Sequence, residues 1–307
     1  MFFILSEKMK AGADFLEWSS FWKYAFVQTK KQIQDMMKRT IFYFSATGNS
    51  LYVAEQLKGE YGHTLSIPQL MKAGQREFEA DEIGLVFPIY MHLAPQMVQE
   101  FIAGVRLKAD YLFAILTYGA RTTSAVDLWQ DVASKAGYHF DYINTVKMVD
   151  NWLHHFDMDE QKRMDKHIPE QLRGIEADLA VRRHWVQPVS DEERRQHNEA
   201  YHLSGLDKTG GFVFHSEEHF VVTSDCIRCG ICTKVCPRGN WKLGVEKAET
   251  AGRCDYCLAC IHNCPKKAIL FAKSSNPFLK QEANPHARYR NPYVSVRQIQ
   301  EANNQYK

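Results

Sequence analysis

All eight cysteines of the chain fall in two short runs, and both runs obey one formula. The first holds Cys226, Cys229, Cys232 and Cys236, with Pro237 behind it; the second holds Cys254, Cys257, Cys260 and Cys264, with Pro265 behind it. Each reads C-x2-C-x2-C-x3-C-P. Three thiolates spaced by two residues share one tight loop and can reach three corners of a [4Fe–4S] cube. The fourth opens into a helix and points away from its own loop. Gly230 and the small Ala259 let backbone amides approach cluster sulfurs, and each proline turns the chain where a loop segment ends. Zinc sites built from C-x2-C pairs leave the third and fourth cysteine of each run unexplained. A disulfide framework suits a small secreted chain, whereas this one has 307 residues. A thioredoxin-like redox pair needs one C-x-x-C near a βαβ unit, not two quartets.

The formula resembles that of the bacterial two-cluster ferredoxins, in which the fourth cysteine of each run ligates the other cluster. The resemblance implies one cluster on Cys226, Cys229, Cys232 and Cys264, and a second on Cys254, Cys257, Cys260 and Cys236.

Composition leaves room for more than this module. Hydrophobic residues make up 45% and aromatics 12%, enough for ordinary packed cores. No apolar run approaches the roughly 20 residues of a membrane-spanning helix. Met1–Leu5 is too short for a signal-peptide core, and the basic residues follow it. With every cysteine committed to clusters, a reducing cytoplasm is the expected compartment. Charge is uneven: residues 40–150 carry a net −4 and residues 213–275 a net +3. Two solvated faces of opposite sign would give this, as would docking of the two halves or attraction of an acidic redox partner. The positive excess is too small and scattered for nucleic-acid binding.

Residues 40–150 alternate short apolar runs with helical patterns, which predicts a parallel α/β sheet. Strands are expected at Ile41–Phe44, Thr64–Ile67, Ile83–Phe87, Tyr111–Leu116 and near Phe140–Val146. Between them, helices carry Leu51, Val53, Ala54 and Leu57; then Met97, Val98, Phe101 and Ile102, with Pro95 in the first turn; then Val126, Trp129, Val132 and Ala133. The first strand runs into Ser45-Ala46-Thr47-Gly48-Asn49-Ser50, a hydroxyl-rich loop that opens a helix. Helix N-terminal amides and hydroxyls there can hold a phosphate, although a capped strand–turn–helix connection would look the same. The loop has no lysine and does not fit G-x-x-x-x-G-K-[ST], so it does not read as a nucleoside triphosphate site.

Residues 41–50, followed by Ala54 and Leu57, resemble the FMN-phosphate signature of flavodoxins, with Ser50 where that family usually has Thr. Together with the cysteine runs, the chain resembles the flavodoxin–ferredoxin fusion iron–sulfur flavoproteins of anaerobic bacteria over roughly residues 37–300. The resemblance implies that Ser45, Thr47, Gly48, Asn49 and Ser50 bind the FMN phosphate. It also implies that Pro88, Ile89, Tyr90 and Met91, with Thr117, Tyr118, Gly119 and Ala120, line the isoalloxazine ring. The fold class expected is a flavodoxin-like doubly wound parallel sheet followed by an α+β two-cluster ferredoxin domain.

The domains expected are an N-terminal helical extension (1–39), a flavodoxin-like FMN domain (40–185), a linker (186–212), a ferredoxin domain (213–275) and a tail (276–307). Within 155–185, Ile168, Leu172, Ile175, Leu179 and Trp185 stand at helical spacing. Pro188, Gly205, Gly210 and Gly211 mark the linker. His154, His155, His167 and His262 stand at no metal spacing and are read as surface or satisfied histidines. In the extension, Phe15, Trp18, Trp22 and Phe26 share a helical face. That face suits a membrane surface or partner, or a cover for the protein's own apolar surface. Alternatively the product begins at Met36 or Met37, just before the first strand, and the appendage is dispensable.

The function expected is electron transfer between FMN and two [4Fe–4S] clusters and on to a redox partner, ferredoxin-like or an acceptor reductase. An FMN-dependent reductase of a small molecule, fed by its own clusters, is the alternative. No G-x-G-x-x-G occurs, so a Rossmann nicotinamide site is not evident. No catalytic residue stands out, and no nucleic acid or membrane partner is expected.

Overall fold

A computed structural model describes residues 39–204, 214–215, 219–250, 252–274, 279 and 281–306. The expected N-terminal helix, with Phe15, Trp18, Trp22 and Phe26, lies outside the described residues. From Arg39 onward the chain is one compact unit.

The apolar run after Arg39 forms β1 (Arg39–Tyr43), followed by α1 (Asn49–Leu57), β2 (His63–Ser66) and α2 (Ile67–Ala73). Then come β3 (Glu77–Glu79), β4 (Glu82–Pro88), α3 (Gln96–Gly104), β5 (Arg106–Lys108) and β6 (Tyr111–Tyr118). After α4 (Ala125–Lys135) and β7 (Tyr142–Lys147), the segments α5 (Met158–Arg163), α6 (Ile168–Ala180) and β8 (Trp185–Val186) complete this half. Six of the strands form a sheet in the order β2-β1-β4-β6-β7-β8, parallel at every pairing. The order reverses between β1 and β4, as in a flavodoxin-like doubly wound fold. Ile83, Leu85, Val86 and Phe87 on β4 are all fully buried, as are Phe113, Ala114 and Ile115 on β6. Strands covered on both faces read as continuous apolar runs without alternation. Each large side chain so buried contributes about 1.5–3 kcal/mol.

Three details depart from the pattern read in the sequence. Pro95 stands at the N-cap of α3, one position before its first turn. The expected 155–185 helix is two helices and a strand. His167, in the left-handed region (φ 50°), separates α5 from α6, where Pro169 disfavours continuation. Trp185 accordingly lies in edge strand β8, paired with Tyr142 on β7. Within the stretch read as a linker, α7 (Asp191–Ser204) is a full helix. Glu193 accepts hydrogen bonds from the Ser190 amide and hydroxyl (2.9 and 2.8 Å) and caps it. Arg194 pairs with Asp191 one turn back and with Asp127 on α4. Local ion pairs and capping sustain a helix whose composition reads as solvated.

In the cysteine-bearing half, the short β9 (Phe214–His215) precedes β10 (Phe220–Val222). The third cysteine of each run sits in a one-turn helix, α8 (Ile231–Val235) and α9 (Ala259–Asn263), and the fourth is its C-cap, so the helix precedes the fourth cysteine and does not open from it as expected. Between them lie a hairpin, β11 (Trp241–Leu243) with β12 (Ala248–Thr250), and β13 (Arg253–Cys254), which pairs with β9. After α9, β14 (Ile269–Phe271) pairs antiparallel with β10. The tail closes with α10 (Val296–Asn303), held by a full capping box between Ser295 and Gln298.

The two halves share a core. Val235, Cys257, Ala259, Val294, Ile299 and Ala302 belong to the same apolar cluster as the sheet, while Leu153 and Met158 pack with Trp241, Tyr256 and Phe271 in a second.

Candidate functional site

The two cysteine runs fold alike. Arg228 (φ 54°) and Gly230 (φ 73°) take the left-handed conformation in the first, and Tyr256 (φ 52°) and Leu258 (φ 60°) take it at the matching positions of the second. Left-handed turns between extended residues aim successive amides inward, making an anion-binding nest. The sequence pointed to Gly230 and Ala259 as the permissive positions. Leu258, not Ala259, matches Gly230, and a leucine holds the conformation there. Backbone amides reach sulfur, among them Ala248 to Cys226 (3.5 Å), Asn240 to Cys236 (3.4 Å), Tyr256 to Cys254 (3.3 Å) and Ala268 to Cys264 (3.3 Å).

The folded loops cross. One cavity is lined by Cys226, Cys229, Cys232 and Cys264, another by Cys236, Cys254, Cys257 and Cys260. None of the eight is in a disulfide. Among the described residues, no group of three or more His, Cys, Asp or Glu side chains is placed to hold a single metal ion. The cavities differ in setting. Cys229 is exposed, whereas Cys257 and Cys260 are buried. Burial pushes the thiols of Cys232 and Cys254 up to about 12, and those of Cys257 and Cys260 well above their ordinary range. Thiolates gathered in so dry a place need cations, which a cluster's irons supply. Arg238, which lines the inner cavity, has a buried Nη2 without an acceptor. Arg238 otherwise binds Asp255 (2.8 Å) and Glu100 (2.6 Å), tying the inner loop to α3.

A third cavity, of about 460 Å3, opens at the carboxyl ends of β1, β4, β6 and β7, where the sheet order reverses. Ser45, Thr47, Asn49 and Ser50 line it from the first loop, and Pro88, Ile89, Tyr90 and Met91 from the second. Thr117, Tyr118, Gly119 and Ala120 line it from the third. Gly48, expected among the phosphate residues, does not line it. It sits at φ 95°, with its Cα turned toward the tail, so close that a Cβ would lie 2.8 Å from that of Val294.

Phosphate-loop contacts fix that loop and leave hydroxyl protons free. Ser45 Oγ accepts the Gly48 amide (3.1 Å), and Thr47 Oγ1 accepts Asn151 Nδ2 (2.7 Å). Ser50 Oγ lies 2.8 Å from Thr117 Oγ1. Both Ser45 and Thr47 therefore retain an O–H to donate to an anion at the α1 N-terminus. Asn49, which lines the cavity, is pinned on both sides: its Oδ1 accepts Tyr289 Oη (2.6 Å) and Asn291 Nδ2 (3.2 Å) from the tail, and its Nδ2 donates to the Val149 carbonyl (3.2 Å).

Sequence reasoning missed a fourth wall. Met148, Val149, Asp150, Asn151 and Trp152 follow β7 and line the cavity, with His155 and Phe156 beyond them. The signal was the end of the fifth main-sheet strand, where this fold places a loop beside the first. Asp150 packs on Gly119 so tightly that a Cβ there would lie 2.2 Å from its Oδ2, and burial raises its carboxyl. His92, Arg121 and Ala200 of α7 complete the lining. His92 Nδ1 lies 3.1 Å from His197 Nδ1, and Tyr201 Oη donates to the Met91 carbonyl (2.7 Å).

The histidines singled out in the sequence have separate places. His154 is buried and stacks on Phe271, with Nε2 2.9 Å from Tyr256 Oη. His262 Nε2 donates to the Asn151 carbonyl (2.9 Å), and its Nδ1 accepts the Tyr289 amide (3.1 Å). His155 lines the cavity and His167 is exposed.

Comparison with known proteins agrees with the cysteine reading. Residues 219–241 match the family described as "4Fe-4S binding domain". No curated protein matches the chain. Among solved structures, a proposed flavoprotein of Bacteroides uniformis ATCC 8492 overlaps 41% of this chain and 96% of its own, at 15% identity and a TM-score of 0.26. One from Bacteroides eggerthii DSM 20697 overlaps 47% and 99%, at 17% identity and TM-score 0.31. The Trp repressor binding protein of Bacillus subtilis overlaps 46% and 96%, at 12% identity and TM-score 0.30. Such low scores carry no weight; the doubly wound fold rests on the sheet order. The class defined is an α/β protein with a 4Fe-4S binding domain.

Proposed function

We propose that the protein is an electron-transfer iron–sulfur flavoprotein, holding FMN in the switch-point cavity and a [4Fe–4S] cluster in each cysteine quartet. One observation carries the reading. The eight cysteines line two separate cavities in the crossed pattern of four and four, and the inner one shares a core with the flavin-sized cavity.

The residues present fit these groups. Ser45, Thr47 and Ser50 with the α1 amides would hold the phosphate without a cation, as suits a cofactor kept permanently. Tyr90, Tyr118 and Trp152 offer aromatic walls to the ring, each contact worth about 0.5–1.5 kcal/mol. When bound, flavin exchanges one electron or two, and each cluster exchanges one. The quartet that contains Cys257 packs into the core of the sheet, and the quartet with exposed Cys229 is the outlet toward a redox partner.

Anaerobic purification with assay of iron, sulfide and FMN tests the cofactor set. Two cubane clusters and one FMN are expected, with reversible reduction by a reduced ferredoxin. A preparation saturating at one cluster, or retaining no flavin, would overturn the reading. Turnover of an organic acceptor without any partner protein would favour a reductase instead.

A further inference from the structure

The two cysteine loops share a conformation but not their surroundings. Asp255, Tyr256 and Cys257 of the second run are buried, whereas Ile227, Arg228 and Cys229 at the corresponding positions of the first are exposed. The sheet half covers the inner loop: Asp255 Oδ2 accepts the Met97 amide (3.3 Å), and Cys257 and Ala259 join the core of the sheet. The correspondence extends to the basic residue two places after each fourth cysteine. Arg238 follows Cys236 and lines the inner cavity; Lys266 follows Cys264 and lines the outer one. Arg238 meets Glu100 of α3 (2.6 Å). Lys266 is exposed, and among the described residues no carboxylate pairs with it.

The outer face has the composition of a contact surface. Arg228 and Lys266 line the cavity wall, and no Asp or Glu does. Ile227 (57% exposed) and Leu243 (44%) line it with them, and Val245 (90%) stands in the hairpin turn just after Leu243. Leu243 is held against the loop, where a Cβ on Gly230 would lie 3.8 Å from its Cδ1. The inner loop shows what covers such a face: an acidic surface with apolar residues, since residues 40–150 carry a net −4. The N-terminal extension has the wrong sign for that role, with six lysines against four acidic residues over residues 1–38.

We propose that the face around Cys229 docks an acidic electron-carrier protein, whose carboxylates meet Lys266 and Arg228 and whose apolar centre covers Ile227, Leu243 and Val245. The proposal rests on the cofactor reading above and names the partner of its outer quartet. One electron crosses between the carrier's redox centre and that quartet's cluster, one being oxidised as the other is reduced, and no bond is made or broken. Cations around a small apolar centre speed encounter and fix orientation more than they add affinity, which suits a carrier that must leave again.

Calorimetric binding of an oxidised acidic ferredoxin to the oxidised holoprotein tests this without turnover. Binding is expected to weaken as salt rises, and Lys266→Glu to weaken it about tenfold at low ionic strength. Lys135→Glu, the same change of charge at the exposed end of α4, is expected to bind as wild type does. Val245→Asp, outside the cysteine loops, is expected to weaken binding in the same direction, and it decides the matter if Lys266→Glu loses iron. Anaerobic photoreduction with deazariboflavin, a small uncharged donor, is expected to proceed alike in every iron-loaded variant. Affinity that is flat in salt and unaltered by Lys266→Glu and Val245→Asp, or lowered as much by Lys135→Glu, would overturn the proposal while leaving the cofactor reading intact. Salt-dependent self-association that Lys266→Glu abolishes would give the face to the acidic half of a second copy, and would overturn it too. A wild type without the outer cluster would remove the reading on which it rests.

Discussion

At the scale of single residues, the phosphate loop is decided by what stands on each side of it. Thr47 presents its hydroxyl to the cavity while its carbonyl accepts the Asn291 amide (2.8 Å). Thr47→Asp places a carboxylate where an anion is to bind. Such a variant is expected to purify without flavin but with its iron, as absorbance and iron assay would report; stoichiometric flavin would contradict the phosphate assignment. Gly48 is constrained from behind. Gly48→Ala forces a left-handed alanine against Val294 and Asn291. Strain of this kind costs about 1–3 kcal/mol, read as a lowered denaturation midpoint together with weaker flavin retention. That Gly48 serves packing, although it sits in a phosphate signature, was invisible in the sequence. The partner that crowds it lies over two hundred residues away.

At the scale of elements, strands and loops of the sheet were legible because buried parallel strands leave unbroken apolar runs, as in Ile41–Phe44 and Ile83–Phe87. The cysteine quartets were legible because ligand spacing is a local property. What could not be seen was long-range. The stretch around Asp191–Ser204 is mostly polar, with no apolar stripe to announce a packed helix, yet α7 lines the cavity through Ala200 and meets His92 and Met91 through His197 and Tyr201. Trp185 kept helical spacing but pairs as an edge strand. The lid-like contact of α7 predicts a pH effect. Burial, then His197 and Arg121, push His92 down to about 4, and burial lowers His197 too. A histidine whose folded pKa lies below its ordinary 6.5 contributes stability above that pH and loses it as pH falls toward 4. Flavin release, followed by fluorescence, is therefore expected to accelerate as pH drops through this window. Replacing Tyr201 by Phe removes a bond worth about 0.5–1.5 kcal/mol and is expected to raise release at neutral pH. Release that is flat in pH, and unaltered by Tyr201→Phe, would show that α7 does not hold the cavity shut.

At the scale of the whole molecule, the tail is what makes one unit of two motifs. Asn303 Nδ2 donates to the Ser45 carbonyl (2.9 Å), Tyr289 and Asn291 meet Asn49, and Tyr306 Oη donates to the Trp241 carbonyl (2.7 Å). The phosphate loop and the cysteine half are thus buttressed by the same last residues. Deleting the chain from Ser295 onward is expected to lose FMN even though no deleted residue lines its cavity, and adding excess FMN would not restore full occupancy.

The shared core carries this coupling further, into the clusters. Cys257 and Ala259 are packed with the sheet, and Arg238 and Asp255 bridge the inner loop to Glu100 and Met97 of α3. If the inner quartet holds the cluster proposed above, removing its irons leaves four cysteines in a buried cavity with nothing to bridge them. The loops relax, and they pull on α3 through Arg238–Glu100 and Asp255–Met97. Iron removal by an oxidant and chelator is therefore expected to lower the thermal midpoint of the whole unit and to speed flavin loss, in one cooperative transition. Two independent halves would instead give two transitions, with the flavin-bearing one unmoved by chelation. The crossing Arg238–Glu100 ion pair and the common apolar core argue for the single transition, because neither half can expose its inner face without exposing the other's.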